Sequence, residues 1–139
     1  MLSCVQMLST RIKAAIVFGL LAYPFSATAQ EGAVATNART IIPARQTFVL
    51  GGNQSTGFQL TARNTGRSTV ELLERTVIGD TLHVGFLKPQ QEVQRSFALG
   101  TSALVRNPAA HRVVIRFQII GDFRSLPMYY LNAKGQHIW

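Results

Sequence analysis

From residue 45 onward, apolar and polar residues alternate with a period near two, and clusters of Gly, Asn, Pro and Asp interrupt the alternation. Interruptions about every 8–12 residues are typical of proteins built from many short strands. The clearest strand is 111–120, where Val113, Ile115, Phe117 and Ile119 form one apolar face. No stretch of about 12 residues or more in this region has the i, i+3, i+4 spacing of an amphipathic helix. The predicted strands are 46–50, 57–63, 68–75, 81–87, 92–99, 102–106, 111–120, 127–131 and 136–139.

This pattern predicts an all-β fold. Seven to nine short strands in about 95 residues favour a small antiparallel β-sandwich, and the pattern resembles that of immunoglobulin-like sandwiches. Strands 57–63 and 68–75 are expected to form a hairpin, because Asn64 and Gly66 between them tolerate positive φ. Arg95 falls on an inward position, so we expect either a nearby bulge or a buried stem with an exposed guanidinium. The centre of the core is expected to contain Phe58, Leu60, Phe97, Ile115 and Phe117.

The first 29 residues have the three parts of a cleavable secretory signal peptide. Arg11 and Lys13 provide the positive start, the uncharged stretch AAIVFGLLA at 14–22 provides the apolar centre, and Ala27-Thr28-Ala29 provides the small-residue cleavage site. An uncleaved anchor is disfavoured because a membrane-spanning helix needs about 20 apolar residues. We therefore expect cleavage between Ala29 and Gln30, a periplasmic or secreted protein, and no transmembrane segment after cleavage.

The domain prediction follows from this cut. Residues 1–29 are the signal peptide, and residues 45–139 are the β-sandwich domain. Residues 30–44 are small, polar and almost without pattern, so we expect a flexible leader there. Of 139 residues, removal of 29 leaves 110, which suits a single domain.

Cleavage also changes the chemistry that is available. The only cysteine, Cys4, is removed, which excludes disulfides and thiol chemistry from the mature chain. Of the 14 basic residues, removal of two leaves 12 against 6 acidic ones, a net charge of +6. Ten of those 12 are arginine, whose planar fork binds carboxylate and phosphate in a bidentate manner. A surface charge that serves only solubility is the alternative explanation.

Catalytic and metal-binding patterns are missing from the sequence. His83, His111 and His137 have no His, Asp or Glu at the spacing of a metal site. The acidic residues are few and scattered, and no nucleophile elbow or phosphate-binding glycine motif occurs. We therefore expect a protein that is not an enzyme and needs no cofactor or metal.

Two binding functions remain. The first is a non-catalytic exported module that binds an envelope or extracellular protein through a sheet edge or loops. The second is recognition of anionic lipid headgroups or acidic polysaccharide by an arginine-rich face. If strand 57–63 neighbours strand 111–120, then Arg63, Arg112 and Arg116 form a cationic patch. Nucleic acid is disfavoured because the nearest stacking aromatics, Tyr129 and Tyr130, lie far along the chain.

Overall fold

A computed structural model describes residues 34–138. The signal peptide expected at 1–29 lies outside the described residues. The ten strands are β1 (Ala35–Ile42), β2 (Thr47–Gly51), β3 (Phe58–Asn64), β4 (Val70–Arg75), β5 (Thr81–Leu87), β6 (Glu92–Phe97), β7 (Ser102–Arg106), β8 (Val113–Ile120), β9 (Met128–Leu131) and β10 (His137–Ile138). A single 3-10 turn, Phe123–Ser125, is the only helical element among the described residues. Each of the nine predicted strands overlaps one of β2 to β10, and the last two, β9 and β10, pair in an antiparallel manner.

The strands form two antiparallel sheets whose apolar faces share one core, as expected for a β-sandwich. The four-stranded sheet has the order β1-β8-β3-β6, and the six-stranded sheet has the order β10-β9-β2-β7-β4-β5. Phe58, Leu60, Phe97, Ile115 and Phe117 all lie in this core, and none is more than 4% exposed. The prediction of the core centre is therefore confirmed.

The pairing of the first eight strands differs from the immunoglobulin-like arrangement expected from the sequence. β1 pairs with β8, β2 with β7, β3 with β6 and β4 with β5, as in one long hairpin folded over itself. This is the strand order of a jelly roll. In an immunoglobulin domain several consecutive strands are paired neighbours, whereas here β4 and β5 are the only such pair among the first eight. Alternation identifies a strand and its inner face but does not determine its partner.

The predicted flexible leader, 30–44, is also corrected, because most of it forms β1. This strand pairs with β8 over its whole length, from Ala35 opposite Ile120 to Ile42 opposite Val113. Its inward positions are Thr36, Ala38, Thr40 and Ile42, of which only the last is a large apolar residue. The strand therefore depends on its backbone pairing with β8, a nonlocal interaction that leaves little trace in the local sequence.

The expected hairpin between strands 57–63 and 68–75 does not form, since β3 and β4 belong to different sheets. Between β3 and β4 the chain crosses from one sheet to the other, and the fully buried Asn64 stabilises this crossing. Its side-chain amide donates hydrogen bonds to the carbonyls of Ser68 (2.7 Å) and Leu87 (2.9 Å). Its Oδ1 accepts one from the Gly66 amide at 2.9 Å. The side chain thus satisfies the polar groups of a chain that leaves one sheet for the other.

Arg95 provides a contact between the sheets at their open edge. It lies opposite Leu60 on an inward position of the edge strand β6, and its Nη2 donates to Glu74 Oε2 of β4 at 3.3 Å. The Arg95 side chain is 43% exposed, and the pairing of β6 with β3 contains no bulge.

Candidate anion-binding face

The outer face of the four-stranded sheet carries three arginines in one register row. Arg116 of β8 lies directly opposite Arg39 of β1 on one side and Arg63 of β3 on the other. All three are exposed, because they alternate with inward residues such as Ile115 and Phe117. We call Arg39, Arg116 and Arg63 the arginine row.

The spacing of this row follows from sheet geometry. Neighbouring strands are about 4.8 Å apart, so the backbones of Arg39 and Arg63 are about 10 Å apart with Arg116 between them. Like charges directly opposite each other on one face of a sheet are destabilising. The arginine row contains two such oppositions, so the sheet bears an electrostatic cost at this place.

Glu92 of β6 is the one acidic residue in the register row of the three arginines, and no ion pair joins a carboxylate to the arginine row among the described residues. The ion pairs of residues 34–138 join Glu71 to His83 and Arg106, and Glu74 to Arg95. Glu92 of β6 lies opposite Arg63 but is part of none of these pairs. The three guanidinium groups are therefore available to an external anion.

Two shallow grooves lie on either side of Arg116. One, of about 260 Å³, is lined by residues that include Arg63, Glu92 and Thr61, and the other, of about 360 Å³, is lined by residues that include Arg39 and Ala38. The side chains of the next register row on the same face are amides and a hydroxyl. They are Asn37, Gln118, Thr61 and Gln94. The face thus offers guanidinium groups beside neutral donors and acceptors of hydrogen bonds.

The structure brings together two of the three arginines predicted for the patch and separates the third. The condition for the patch is met, since β3 neighbours β8 and places Arg63 opposite Arg116. Arg112 precedes β8, four residues from Arg116 and thus about 13 Å along the extended chain, with Val114 between them on the same face.

Arg39 is the residue that sequence reasoning missed. It lies within residues 30–44, for which the composition predicts a flexible leader and no strand partner. One signal was present: Asn37, Arg39 and Ile41 alternate with Ala38 and Thr40, which is a weak period-two pattern.

Aromatic side chains do not contribute to this face in the described strands. Tyr129 and Tyr130 lie on β9 in the other sheet. Tyr130 points into the sandwich, where its hydroxyl donates to the Ile41 carbonyl of β1 at 2.9 Å, and burial raises its pKa above the usual 10.0. The arginine row therefore offers charge and hydrogen bonds but no aromatic stacking surface within the described strands.

Two kinds of feature are absent from residues 34–138. No group of three or more His, Cys, Asp or Glu side chains is placed to hold a metal ion. No helix in that part of the chain has the length and apolar character needed to cross a membrane.

Comparison with known proteins finds few matches. No protein-family model and no curated protein sequence matches this chain. Among solved structures, it is similar to the crystal structure of the Yersinia pseudotuberculosis-derived mitogen (YPM), at 8% sequence identity and a TM-score of 0.44. That similarity covers 68% of this chain and 95% of the mitogen chain.

Proposed function

We propose that this protein is an exported, non-catalytic module that binds an acidic polysaccharide through the outer face of its four-stranded sheet. The observation that carries the proposal is the register of Arg39, Arg116 and Arg63, which lie side by side on three neighbouring strands and form no ion pair with a carboxylate in residues 34–138.

The electrostatic cost of the arginine row supports a bound anion. Two like-charge oppositions destabilise the free sheet, and an anionic group placed between the guanidinium groups removes that repulsion. Arginine binds carboxylate and sulfate or phosphate oxygens through two parallel hydrogen bonds. A polymer with repeated anionic groups can occupy neighbouring arginines at the same time, which raises its overall affinity.

The neighbouring polar row favours a polysaccharide over a lipid headgroup. Asn37, Thr61 and Gln118 lie beside the arginine row and line the groove between Arg63 and Arg116. Amides and hydroxyls both donate and accept hydrogen bonds, as sugar hydroxyls require. An acidic sugar chain presents both kinds of group, and a linear polymer can lie along a flat sheet face.

The test measures binding of the purified exported protein to polygalacturonate and dextran sulfate, with neutral dextran and vesicles containing phosphatidylglycerol as the other arms. We expect saturable binding to an anionic polysaccharide that weakens with added salt, and none to dextran. The variant Arg116→Glu is expected to weaken this binding by about tenfold or more, because it removes a charge-assisted pair and adds repulsion.

The matched control is Arg112→Glu, which makes the same charge change outside the row and is expected to cost little affinity. Equal losses in both variants would show that net charge, and not the arginine row, causes binding. Binding only to the anionic vesicles would instead support a lipid ligand and contradict the polysaccharide.

Export itself is part of this proposal. The charged start at Arg11 and Lys13, the apolar centre and the site at Ala27-Thr28-Ala29 support removal of residues 1–29. Intact-mass measurement of the exported protein tests this, with the mass of 30–139 expected. Recovery of the full-length mass from the exported fraction would contradict cleavage.

A protein partner bound at a sheet edge is the second candidate, and β5 favours it. This strand lies at the edge of the six-stranded sheet, so one side of its backbone has no strand partner within residues 34–138. Phe86 and Leu82 are 64% and 49% exposed, and the preceding turn exposes Val77 and Ile78. An extended segment that pairs with such an edge gains main-chain hydrogen bonds and side-chain contacts.

Site-specific photocrosslinking tests the β5 edge in exporting cells. A photoreactive phenylalanine analogue at Phe86 is expected to give a discrete protein adduct, whereas the same analogue at Ser96 on the other sheet's edge strand is expected to give none. Identical adduct patterns at both positions, or no adduct at Phe86, would contradict a partner at β5.

A further inference from the structure

A second cationic site lies on the six-stranded sheet, well apart from the arginine row in the fold. A pocket of about 380 Å³ on that sheet is lined by residues of β9, β2 and β7, which are neighbours in this order, and by residues of the turns beside them. Its lining residues include Arg45, Arg75 and Arg106 but no acidic residue among those described. We propose that this pocket binds a small organic anion that carries a short apolar chain. This site goes beyond the proposed polysaccharide-binding function.

The three arginines come from separate elements and are fixed in different ways. Arg106, in β7, donates from Nη1 to Glu71 Oε1 at 2.8 Å, and the other oxygen of Glu71 lies 2.9 Å from His83 Nδ1. Arg75 ends β4, is partly buried and takes part in no ion pair within residues 34–138. Arg75 therefore provides an uncompensated positive charge at the pocket, as does Arg45, which also takes part in no ion pair within residues 34–138.

Arg45 is held in a strained backbone conformation. Its φ is 60°, in the left-handed region that costs a residue with a side chain about 1–3 kcal/mol. The turn is fixed by the Gln46 amide, which donates to the Pro43 carbonyl at 3.2 Å, and by the Arg45 amide, which donates to the Ala109 carbonyl at 3.1 Å. Glycine would fit here without strain, so the arginine side chain at the pocket is retained at a cost.

The remaining walls suit an amphiphilic ligand. Leu104 and Leu131, both buried, belong to an apolar cluster on this side of the sheet together with Val49 and Leu73. Thr47 and Asn132 add hydrogen-bonding groups to the lining. A volume of this size is within the range of small-molecule sites. The combination of an apolar floor with a cationic rim fits a carboxylate or phosphate attached to a short hydrocarbon chain.

Calorimetric titration of the exported protein tests the pocket with octyl phosphate and octanoate as probes. Inorganic phosphate and octanol are the controls that lack the chain or the charge. We expect one binding site for at least one amphiphilic anion, with an affinity at least about tenfold above either control. Equal binding of octanol, or no binding of either anion, would overturn the proposal.

Two variants locate the site. Arg75→Gln is expected to weaken binding by about tenfold, as the loss of a charge-assisted contact predicts. Arg45→Gly removes the second guanidinium and relieves the strained φ, so this variant is expected to fold. It therefore tests the pocket even if Arg75→Gln does not fold. Arg112→Gln, which lies outside both the pocket lining and the arginine row, is the matched control and is expected to leave the affinity unchanged. Equal weakening by Arg112→Gln would overturn the pocket assignment, whether or not the polysaccharide is bound by the arginine row.

Discussion

Arg63 and Arg116 lie directly opposite each other on neighbouring antiparallel strands, and neither is paired with a carboxylate in the described part of the chain. Arg39 extends the same register row on the other side of Arg116. A fold selected for stability alone has no reason to place three cations in this way, because each opposition costs free energy. The arrangement is explained if an anion is bound during function. If the repulsion is real, removal of Arg116 should stabilise the protein in the absence of an anion.

Replacement of Arg116 by threonine is expected to stabilise the free protein by about 0.2–1 kcal/mol, because both like-charge oppositions disappear and threonine suits a strand. Chemical denaturation of the two proteins at low salt measures the difference, which is expected to shrink as salt screens the repulsion. Arg112→Thr is the control, with a smaller change expected. If Arg116→Thr is instead less stable than the unchanged protein at low salt, the like charges of the arginine row do not destabilise the sheet.

Phe117→Ala is expected to destabilise the protein by about 3–5 kcal/mol through lost burial and the cavity that remains. Phe117 stacks on Phe48 of the other sheet with ring centroids 5.5 Å apart, so its loss affects both sheets. Thermal or denaturant unfolding measures the change. Phe86→Ala, at a position 64% exposed, is the control and should cost much less. Similar losses in both variants would contradict the assigned core.

Asn107→Ala is expected to cost at least about 1–3 kcal/mol, because it leaves buried polar groups without partners. Its side-chain amide donates to the carbonyls of Ile42, Pro43 and His111 at 2.8–3.0 Å, and its Oδ1 accepts from the Ala109 amide at 3.0 Å. Asn132→Ala is the comparison, since Asn132 makes similar turn contacts nearer the surface, where water can replace them. Denaturant unfolding should therefore show a larger loss in the free energy of unfolding for Asn107→Ala than for Asn132→Ala. Equal losses would show that burial of Asn107 does not add to its contribution.

The partial burial of Tyr130 predicts a loss of stability at alkaline pH. Burial raises the pKa of Tyr130 above 10.0, so the unfolded chain loses this proton first as the pH rises. The contribution of Tyr130 to stability is therefore complete below about pH 10 and decreases above it. The stability difference between the protein and Tyr130→Phe should be larger at about pH 9 than at about pH 11. A stability difference that stays constant or grows between these two pH values would contradict the raised pKa of Tyr130.

The sequence predicts most of this fold because its strands carry local signals. In β8, each inward position from Val113 to Ile119 is apolar, which identifies both the strand and its buried face. Strand pairing has no such local signal. Asn64 and Gly66 are as suitable for a crossing between sheets as for a hairpin, and it is the hydrogen bonds of Asn64 to distant carbonyls that distinguish the two.

The candidate site could be predicted only in part for the same reason. Arg63 and Arg116 share a face because their strands have clear alternation and are neighbours. Arg112 lies four residues before Arg116, about 13 Å along an extended chain, and the register places Arg63 opposite Arg116 and not opposite Arg112. Arg39 belongs to an edge strand with mostly small or polar inward residues, and its position depends on pairing with a strand about 80 residues away in sequence.

The salt dependence of polysaccharide binding tests the central claim most directly. Each cation that neutralises an anionic group of a polyelectrolyte releases counterions, so the slope of log affinity against log salt counts such contacts. For dextran sulfate, Arg39→Gln, Arg63→Gln and Arg116→Gln are each expected to reduce the slope by about one, whereas Arg112→Gln should leave it unchanged. A slope that falls equally in Arg112→Gln, or that does not fall in the row variants, would contradict recognition by the arginine row.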